Sequence, residues 1–177
     1  IKDKEHVLSK EAESLLASYA EVFGAVENAY DVFTTTDFEF QDVKNKNGEN
    51  LKMSHGLYSK YLSGSDRILR KNAFEAMYKP YKQNINTITE LYLARVKDVV
   101  TTARIRKYKN AIDMASQNDD SKEEVYYTLI DAVDNNLDLN HRYLNFKAKN
   151  LSAELDDGKM HLYDVYRNSF EEKEDNI

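Results

Sequence analysis

The chain has 177 residues, 41% of them hydrophobic and 32% charged, and it carries a formal net charge of −6 at pH 7. It contains no cysteine, which excludes disulfides and thiolate metal sites. No apolar run reaches the roughly 20 residues that a membrane-spanning helix needs. With 5 glycines and 1 proline, the composition favours long helices over a many-turned β-sandwich. Residue 1 is isoleucine and not methionine, so the chain is expected to be a piece of a longer one.

The first predicted helix begins after Ser9, a residue type that caps helix N-termini. Apolar residues then recur at three- and four-residue intervals up to Phe23, which places them on one face of the helix. Gly24 is expected to end this helix. A short second helix is predicted through Tyr30 and Phe33.

One segment has a β pattern, residues 37–54, with the sequence DFEFQDVKNKNGENLKMS. Apolar and polar residues alternate on both sides of Asn47-Gly48, a pair typical of hairpin turns because both residues tolerate a positive φ. The pattern therefore predicts a β-hairpin of about residues 38–53. Ser54 is expected to cap the helix that follows.

Two further helices are predicted in the middle of the chain. The stretch Ser63-Gly64-Ser65-Asp66 is expected to break the helical pattern and cap the first helix. Pro80 is expected to end or kink this helix, because proline lacks an N–H donor and restricts the residue before it. Beyond Pro80, apolar residues repeat at helical spacing from Ile85 to Ala103. This spacing predicts a long amphipathic helix.

In the last third, Ser121 and Glu124 predict a capping box at the start of a helix. Helical spacing resumes after Asn135-Asn136, and Asp156-Asp157-Gly158 is expected to turn the chain. Residues 171–177, EEKEDNI, are charged and expected to fray. The predicted fold is mainly α, a multi-helical, bundle-like lobe with one inserted β-hairpin.

No catalytic, cofactor-binding or metal-ligating residue is predicted in the chain. The zinc signature His-Glu-x-x-His requires two histidines four positions apart, with glutamate directly after the first. None of the four histidines fits: they are His6, His55, His141 and His161. No Gly-x-Ser-x-Gly elbow and no phosphate-binding glycine loop occurs. The pair Asp119-Asp120 lacks the spaced ligands of a calcium loop.

The most basic segment runs from Arg95 to Lys109 and holds six cations against one anion. Proteins that bind nucleic acid usually present a wider basic face on a basic chain, whereas this chain is acidic. A solvated helix end, where cations face the negative end of the helix dipole, is the favoured interpretation. Binding to nucleic acid is not expected.

The chain contains 13 tyrosines, and several lie beside apolar residues on predicted helices. They are expected to pack between helices, with the hydroxyl group reaching water or a polar partner. A peptide-binding wall is a compatible alternative. The tyrosines concerned are Tyr19, Tyr58, Tyr61, Tyr78, Tyr92 and Tyr143.

Seven segments of the chain resemble, in the same order, oligoendopeptidase F, a branch of the thimet-oligopeptidase family of zinc peptidases. No segment is a catalytic fingerprint by itself, but the ordered set is specific and covers nearly the whole chain. The segments are HVLSKEAESLLA (6–17), MSHGLYSKYL (53–62), DRILRKNAFEAMY (66–78), ARIRKYKNAID (103–113), EEVYYTLIDAV (123–133), LNHRYLNFKAK (139–149) and MHLYDVY (160–166). The chain departs from the family pattern at Asp138 and Asn168, where the family often has proline.

The resemblance implies a two-lobed, mostly α-helical, cytoplasmic peptidase that depends on zinc and admits short unfolded peptides to a deep channel. It implies that residues 1–72 are helices and the hairpin of the N-terminal lobe. Residues 73–177 would be the first helices of the catalytic domain, truncated before the zinc site. The expected function is scaffold and channel wall of a zinc metalloendopeptidase, inactive alone. The expected partners are short peptides and the missing catalytic portion of the same chain; no membrane partner is expected.

Two other functions remain open. In the first, the chain is a non-catalytic helical module that binds peptides. In the second, it is a purely structural fragment. In the second case its apolar helix faces are expected to cause dimerisation or aggregation.

Overall fold

The computed structural model describes residues 4–168. Within them the fold is mainly α-helical with one small antiparallel hairpin, which confirms the predicted fold class. In chain order the elements are α1 (Lys10–Ser18), α2 (Ala20–Phe23), α3 (Ala25–Val32), β1 (Val43–Lys44), β2 (Asn50–Leu51), α4 (His55–Ser63), α5 (Arg67–Gln83), α6 (Ile85–Ile105), α7 (Ala111–Asn118), α8 (Glu123–Asp134) and α9 (Leu137–Asn150).

The chain divides into two compact units. The first unit comprises the described residues up to Phe38 together with Asn84–Asn135, and thus contains α1–α3 and α6–α8. The second comprises Glu39–Gln83 and the described residues from Asn136 onward, and thus contains the hairpin, α4, α5 and α9. The boundary at residue 72 that the family resemblance implies concerns the lobes of a longer protein, and it stays a prediction.

The start of the first helix is as predicted. The Oγ atom of Ser9 accepts a hydrogen bond from the Ala12 N–H at 3.3 Å. Gly24 follows the last residue of α2 but has right-handed φ and ψ angles, −77° and −12°, so α3 begins directly after it. A π-helical turn, Phe33–Asp37, then extends α3.

The hairpin is present, but its strands are shorter than the sequence pattern suggests. Each strand has two residues, and the antiparallel pairs are Val43 with Leu51 and Lys44 with Asn50. Gly48 has a φ of +82°, and its N–H donates to the Asn45 carbonyl at 3.0 Å. Asn47 does not share this left-handed conformation. One residue of the predicted Asn-Gly pair therefore supplies the positive φ that the turn needs.

The core of the second unit forms where the hairpin meets α5. Its buried cluster consists of Val43, Met53, Ala73 and Met77, and the last two lie on one face of α5 because they are four residues apart. Helix α4 packs against the same helix; its Tyr58 and Tyr61 lie against the core cluster, and its Leu62 is 2% exposed. Ser54 caps α4 as predicted, since its side chain accepts from the Leu57 N–H.

Helix α5 does not end at Pro80, so that expectation is wrong; a kink there stays a prediction. The helix continues to Gln83, and the interruption falls at Asn84, just before α6. A proline this close to the C-terminal end removes one intrahelical N–H donor and leaves the rest of the helix intact. The long helix predicted from Ile85 is confirmed as α6.

The capping box predicted for Ser121 and Glu124 is also wrong. The N-cap of α8 is Lys122, which makes no capping hydrogen bond with its side chain. The Ser121 hydroxyl donates instead to the Ser116 carbonyl at 3.1 Å, and so completes the end of α7. The Ser121 N–H donates to the same carbonyl at 2.9 Å, so both polar groups of Ser121 serve the end of α7 and not the start of α8.

Later features of the chain agree with the sequence pattern. Helix α9 resumes after Asn136, and Gly158 adopts a φ of +70° while its N–H donates to the Leu155 carbonyl. The charged segment 171–177, for which fraying is expected, lies outside the described residues.

Candidate functional site

A network of five charged side chains lies in the second unit. Arg70 donates to Asp164 Oδ1 from Nε at 3.2 Å and from Nη2 at 3.0 Å, and Arg67 donates to Oδ2 at 3.3 Å. Arg70 also bonds Glu154 at 3.2 Å, and Arg167 bonds the same carboxylate at 3.1 Å. The side chains of Arg70 and Asp164 are fully buried. The network fastens the chain that follows α9 onto α5.

Hydrogen bonds keep the buried Asp164 ionised. Burial by itself raises the pKa of this carboxyl, but the His161 backbone N–H and the guanidinium groups of Arg67 and Arg70 outweigh burial and lower the pKa. Sequence reasoning missed this cluster because its two arginines on α5 are more than 80 residues away in the chain from the carboxylates that they bind.

One histidine lies at the edge of this network. His161 Nε2 is 2.6 Å from Asp157 Oδ2, and its ring stacks on Tyr163 with centroids 5.0 Å apart. The pKa of Asp157 is held well below its ordinary value, first by the hydrogen bond to His161 and also by the Lys159 N–H and Arg67. Both side chains of this pair are half-exposed at the surface, and the contact spans the turn from Asp157 to His161.

An aromatic cavity of about 770 Å³ lies beside this segment in the second unit. Burial, and then the neighbouring Tyr78 hydroxyl, raise the pKa of Tyr58 well above its ordinary value. Of the predicted tyrosine set, Tyr58 and Tyr78 meet here with rings 6.4 Å apart. The lining of the aromatic cavity also includes Phe74, Leu162 and Tyr166.

The end of the basic segment, which follows α6, lines a polar cleft of about 960 Å³ in the first unit. Arg106 holds Glu13 through two hydrogen bonds of 2.9 Å and 3.0 Å, and its carbonyl lies 2.8 Å from His6 Nδ1. The His6 ring stacks on Tyr108 with centroids 3.7 Å apart. Lys107 has a φ of +62°, so the chain leaves α6 through a left-handed residue. The segment is a helix end, as predicted, and it anchors the residues that precede α1.

Other cations of the same segment are also paired. Lys109 Nζ lies 2.9 Å from Glu123 Oε2, and this pairing is the main cause that lowers the pKa of Glu123 and raises that of Lys109. Arg95 pairs with Glu27 at 2.8 Å and with Asp98 at 2.6 Å. Together with Arg106, three of the six cations of the basic segment therefore have a carboxylate partner within the first unit.

A second cleft of the first unit lies between α3 and α6 and has a volume of about 530 Å³. We call it the α3–α6 cleft. It is lined by Val26, Glu27, Tyr30 and Asp31 of α3 and by Ile88, Thr89, Leu91, Tyr92 and Arg95 of α6. Nothing in the sequence pattern distinguishes this cleft, because the two helices are separated by more than fifty residues.

Among residues 4–168, no three His, Cys, Asp or Glu side chains come close enough together to hold a metal ion. His141 is exposed on α9, and His55 bonds the Tyr81 hydroxyl at 3.1 Å. Asp120 has a φ of +52° in the loop between α7 and α8.

No described helix is both long and apolar enough to span a bilayer.

Comparison with known protein families gives the class of this protein. The model of peptidase family M3 matches residues 60–177, and the model of oligopeptidase F matches residues 1–40. The chain belongs to peptidase family M3.

The similar proteins include several named oligopeptidase PepF or oligoendopeptidase F, which confirms the resemblance seen in the sequence. Oligopeptidase PepF of Bacillus subtilis (strain 168) is 38% identical over 93% of this chain and 24% of its own length. Group B oligopeptidase PepB of Streptococcus agalactiae is 40% identical over 93% of this chain and 27% of its own length. The chain thus spans about a quarter of the length of these curated relatives.

Solved structures show the same fold. The crystal structure of oligoendopeptidase-F from Enterococcus faecium superposes with a TM-score of 0.87 at 36% identity, over 94% of this chain and 31% of that one. A chain from Chlamydophila abortus superposes with a TM-score of 0.88 at 27% identity, over 96% of this chain and 28% of that one.

Proposed function

We propose that this chain is one part of a zinc-dependent metalloendopeptidase that hydrolyses short oligopeptides in the cytoplasm. In this proposal the chain is scaffold and substrate-channel wall, and the catalytic centre is supplied by other residues of the parent enzyme. The observation that carries the proposal is the match of family M3 to residues 60–177 in a chain without the His-Glu-x-x-His signature. Its partners are short peptides and the catalytic portion of the same enzyme.

The exposed faces of α8 and α9 support a scaffold role. Apolar side chains on both helices lie largely in contact with solvent: Val125, Leu129, Ile130 and Val133 on α8, and Leu137, Leu139, Tyr143 and Phe146 on α9. Large exposed apolar faces of this kind usually mark surfaces that another part of a protein covers. The relatives, about four times as long as the segment they share with this chain, contain enough further sequence to do so.

The proposal is tested by zinc content and peptide hydrolysis. The chain, incubated with zinc and a quenched fluorescent peptide, is expected to show no zinc-dependent turnover, while oligopeptidase PepF of Bacillus subtilis serves as the active reference. In parallel, the source coding sequence beyond Ile177 is expected to encode His-Glu-x-x-His and a later glutamate in frame. Zinc-dependent hydrolysis by this chain alone contradicts the assignment of the catalytic centre to other residues.

A second candidate function is a non-catalytic module that binds peptides. The observation that favours it is the α3–α6 cleft, which is lined by apolar and tyrosine side chains and lies within the first unit alone. A coding sequence that stops near Ile177, together with measurable peptide binding, would give this function precedence over the first.

A further inference from the structure

The α3–α6 cleft combines an apolar floor with two aromatic walls. Val26, Ile88 and Leu91 are half-buried at its base, and Tyr30 and Tyr92 are exposed at its sides. Its volume of about 530 Å³ falls in the range of sites that hold small molecules or peptide side chains. Tyrosines suit such walls because each offers apolar area and a hydroxyl group that bonds a peptide backbone.

The charges around the cleft are unequal. Arg95 is the single cation among the lining residues, and its guanidinium is engaged by Glu27 at 2.8 Å and Asp98 at 2.6 Å. Asp31 also lines the cleft and is exposed, and its carboxylate has no ion-pair partner among residues 4–168. The lining therefore offers one carboxylate that is available to a cationic ligand and no available cation.

The arrangement of the two helices separates these charges. Glu27 and Asp31 are one turn apart on α3, and Arg95 lies almost two turns beyond Ile88 on α6. The Glu27–Arg95 pair occupies one part of the cleft, and Asp31 stands a turn away from it. An apolar group on the floor and a cationic group beside Asp31 can be accommodated together.

We propose that the α3–α6 cleft is a binding subsite for a peptide segment in which a large apolar side chain is adjacent to lysine or arginine. The apolar side chain packs on Val26, Ile88 and Leu91, and the cationic side chain pairs with Asp31. A peptide with an acidic residue in place of the lysine or arginine is disfavoured by Glu27 and Asp31. The inference depends on the proposed function only in choosing a peptide as the ligand.

Direct binding to the 177-residue chain tests the proposal. Three probes of equal length are titrated while amide resonances are followed by NMR: acetyl-Ala-Phe-Lys-Ala-amide, the same peptide with Glu for Lys, and the same peptide with Ala for Phe. The Phe-Lys peptide is expected to bind most tightly, with chemical-shift changes confined to α3 and α6, and its binding is expected to weaken at high salt.

Asp31→Asn is expected to weaken the affinity for the Phe-Lys peptide about two- to five-fold, as for an exposed ion pair. Glu90→Gln, an exposed carboxylate of α6 outside the cleft lining, is the matched control and is expected to have no effect.

The contrary results are equally specific. Equal affinity for the Lys and Glu peptides, shifts that map away from α3 and α6, or no binding at millimolar concentration overturn the proposal. Self-association that the same cleft residues mediate overturns it in favour of a second copy of the chain. Because no hydrolysis is measured, a negative binding result leaves the peptidase proposal standing. Conversely, zinc-dependent hydrolysis by this chain alone, or a coding sequence without His-Glu-x-x-His, overturns the peptidase proposal and leaves the binding data valid.

Discussion

The side chains of Arg70 and Asp164 are both withdrawn from water, and each is held by the other. Removing two charges from water costs free energy that their mutual attraction only partly returns, so such a pair is weak evidence of net stability. Removing one partner is a different matter, because the remaining charge is then buried without compensation. Arg70 is the fully buried one of the two α5 arginines that hold the chain after α9, so its loss leaves the buried Asp164 with Arg67 as its remaining arginine partner.

Replacement of Arg70 is expected to be among the most destabilising single changes in the second unit. Arg70→Met should lower the free energy of unfolding by about 3–5 kcal/mol, because the buried Asp164 loses two hydrogen bonds and one of its two arginine partners, and Glu154 loses an arginine partner as well. Urea denaturation followed by circular dichroism measures the loss. Arg142→Met, an exposed arginine of α9, is the control and should change stability by less than about 0.5 kcal/mol. If Arg70→Met does not fold, Arg70→Lys should fold with an intermediate loss; equal effects at the two arginines would contradict the account.

The Asp157–His161 pair predicts a dependence of stability on acid. The pKa of Asp157 in the fold lies below the value of about 3.9 expected in an unfolded chain, so its ionised form stabilises the fold above about pH 4. This contribution is lost as the pH falls through the folded-state pKa. Asp157→Asn should therefore make the free energy of unfolding fall less steeply between about pH 5 and pH 3. Asp134→Asn, an exposed aspartate of α8, should leave that slope unchanged, and an unchanged slope in Asp157→Asn would refute the assignment.

At the scale of elements, local hydrogen-bonding rules place most boundaries. Ser9 and Ser54 cap the helices that they were expected to cap, since a cap is decided by residues within one turn. Ser121 and Pro80 show where such rules fail. The Ser121 hydroxyl can serve either the end of α7 or the start of α8, and Pro80 lies near enough to a helix end to be tolerated. Local sequence alone does not distinguish these alternatives.

Two glycines of the second unit are expected to respond oppositely to the same substitution. Gly48→Ala should cost about 1–2 kcal/mol, because a φ of +82° brings the new Cβ atom into conflict with its own backbone, although no other atom lies within 4 Å. Gly56→Ala should stabilise by up to about 0.5 kcal/mol, because Gly56 lies in the first turn of α4, where alanine favours helix less strongly than in the interior. Thermal and urea denaturation of the two variants provide the comparison. A gain in stability from Gly48→Ala would show that the hairpin turn differs from the one described.

At the scale of the whole molecule, exposed apolar helix faces distinguish this chain. Val125, Leu129 and Val133 follow one another at four-residue intervals on α8 and are 60%, 64% and 55% exposed. An amphipathic helix normally turns such a stripe toward a core. Its exposure accords with the proposal that a further part of the enzyme covers it.

Leu129→Lys is therefore expected to leave stability almost unchanged, within about 0.5 kcal/mol, while reducing concentration-dependent self-association. Analytical ultracentrifugation measures the association, and urea denaturation measures stability. Leu62→Ala, at a position 2% exposed in the second unit, is the buried counterpart and should cost about 2–5 kcal/mol. If Leu129→Lys is as damaging as Leu62→Ala, the α8 face packs within this chain and the proposed surface is incorrect.

The amino-acid sequence by itself determined the helical class, most helix starts, the hairpin and the family, because each follows from residue spacing or from ordered local segments. It contained no pattern for the Arg70–Asp164 pair, whose members are 94 residues apart, or for the α3–α6 cleft. These features were decided by the tertiary structure. A capping hydrogen bond needs only neighbours in the chain, whereas a buried ion pair and a cleft need surfaces that meet only when distant elements pack together.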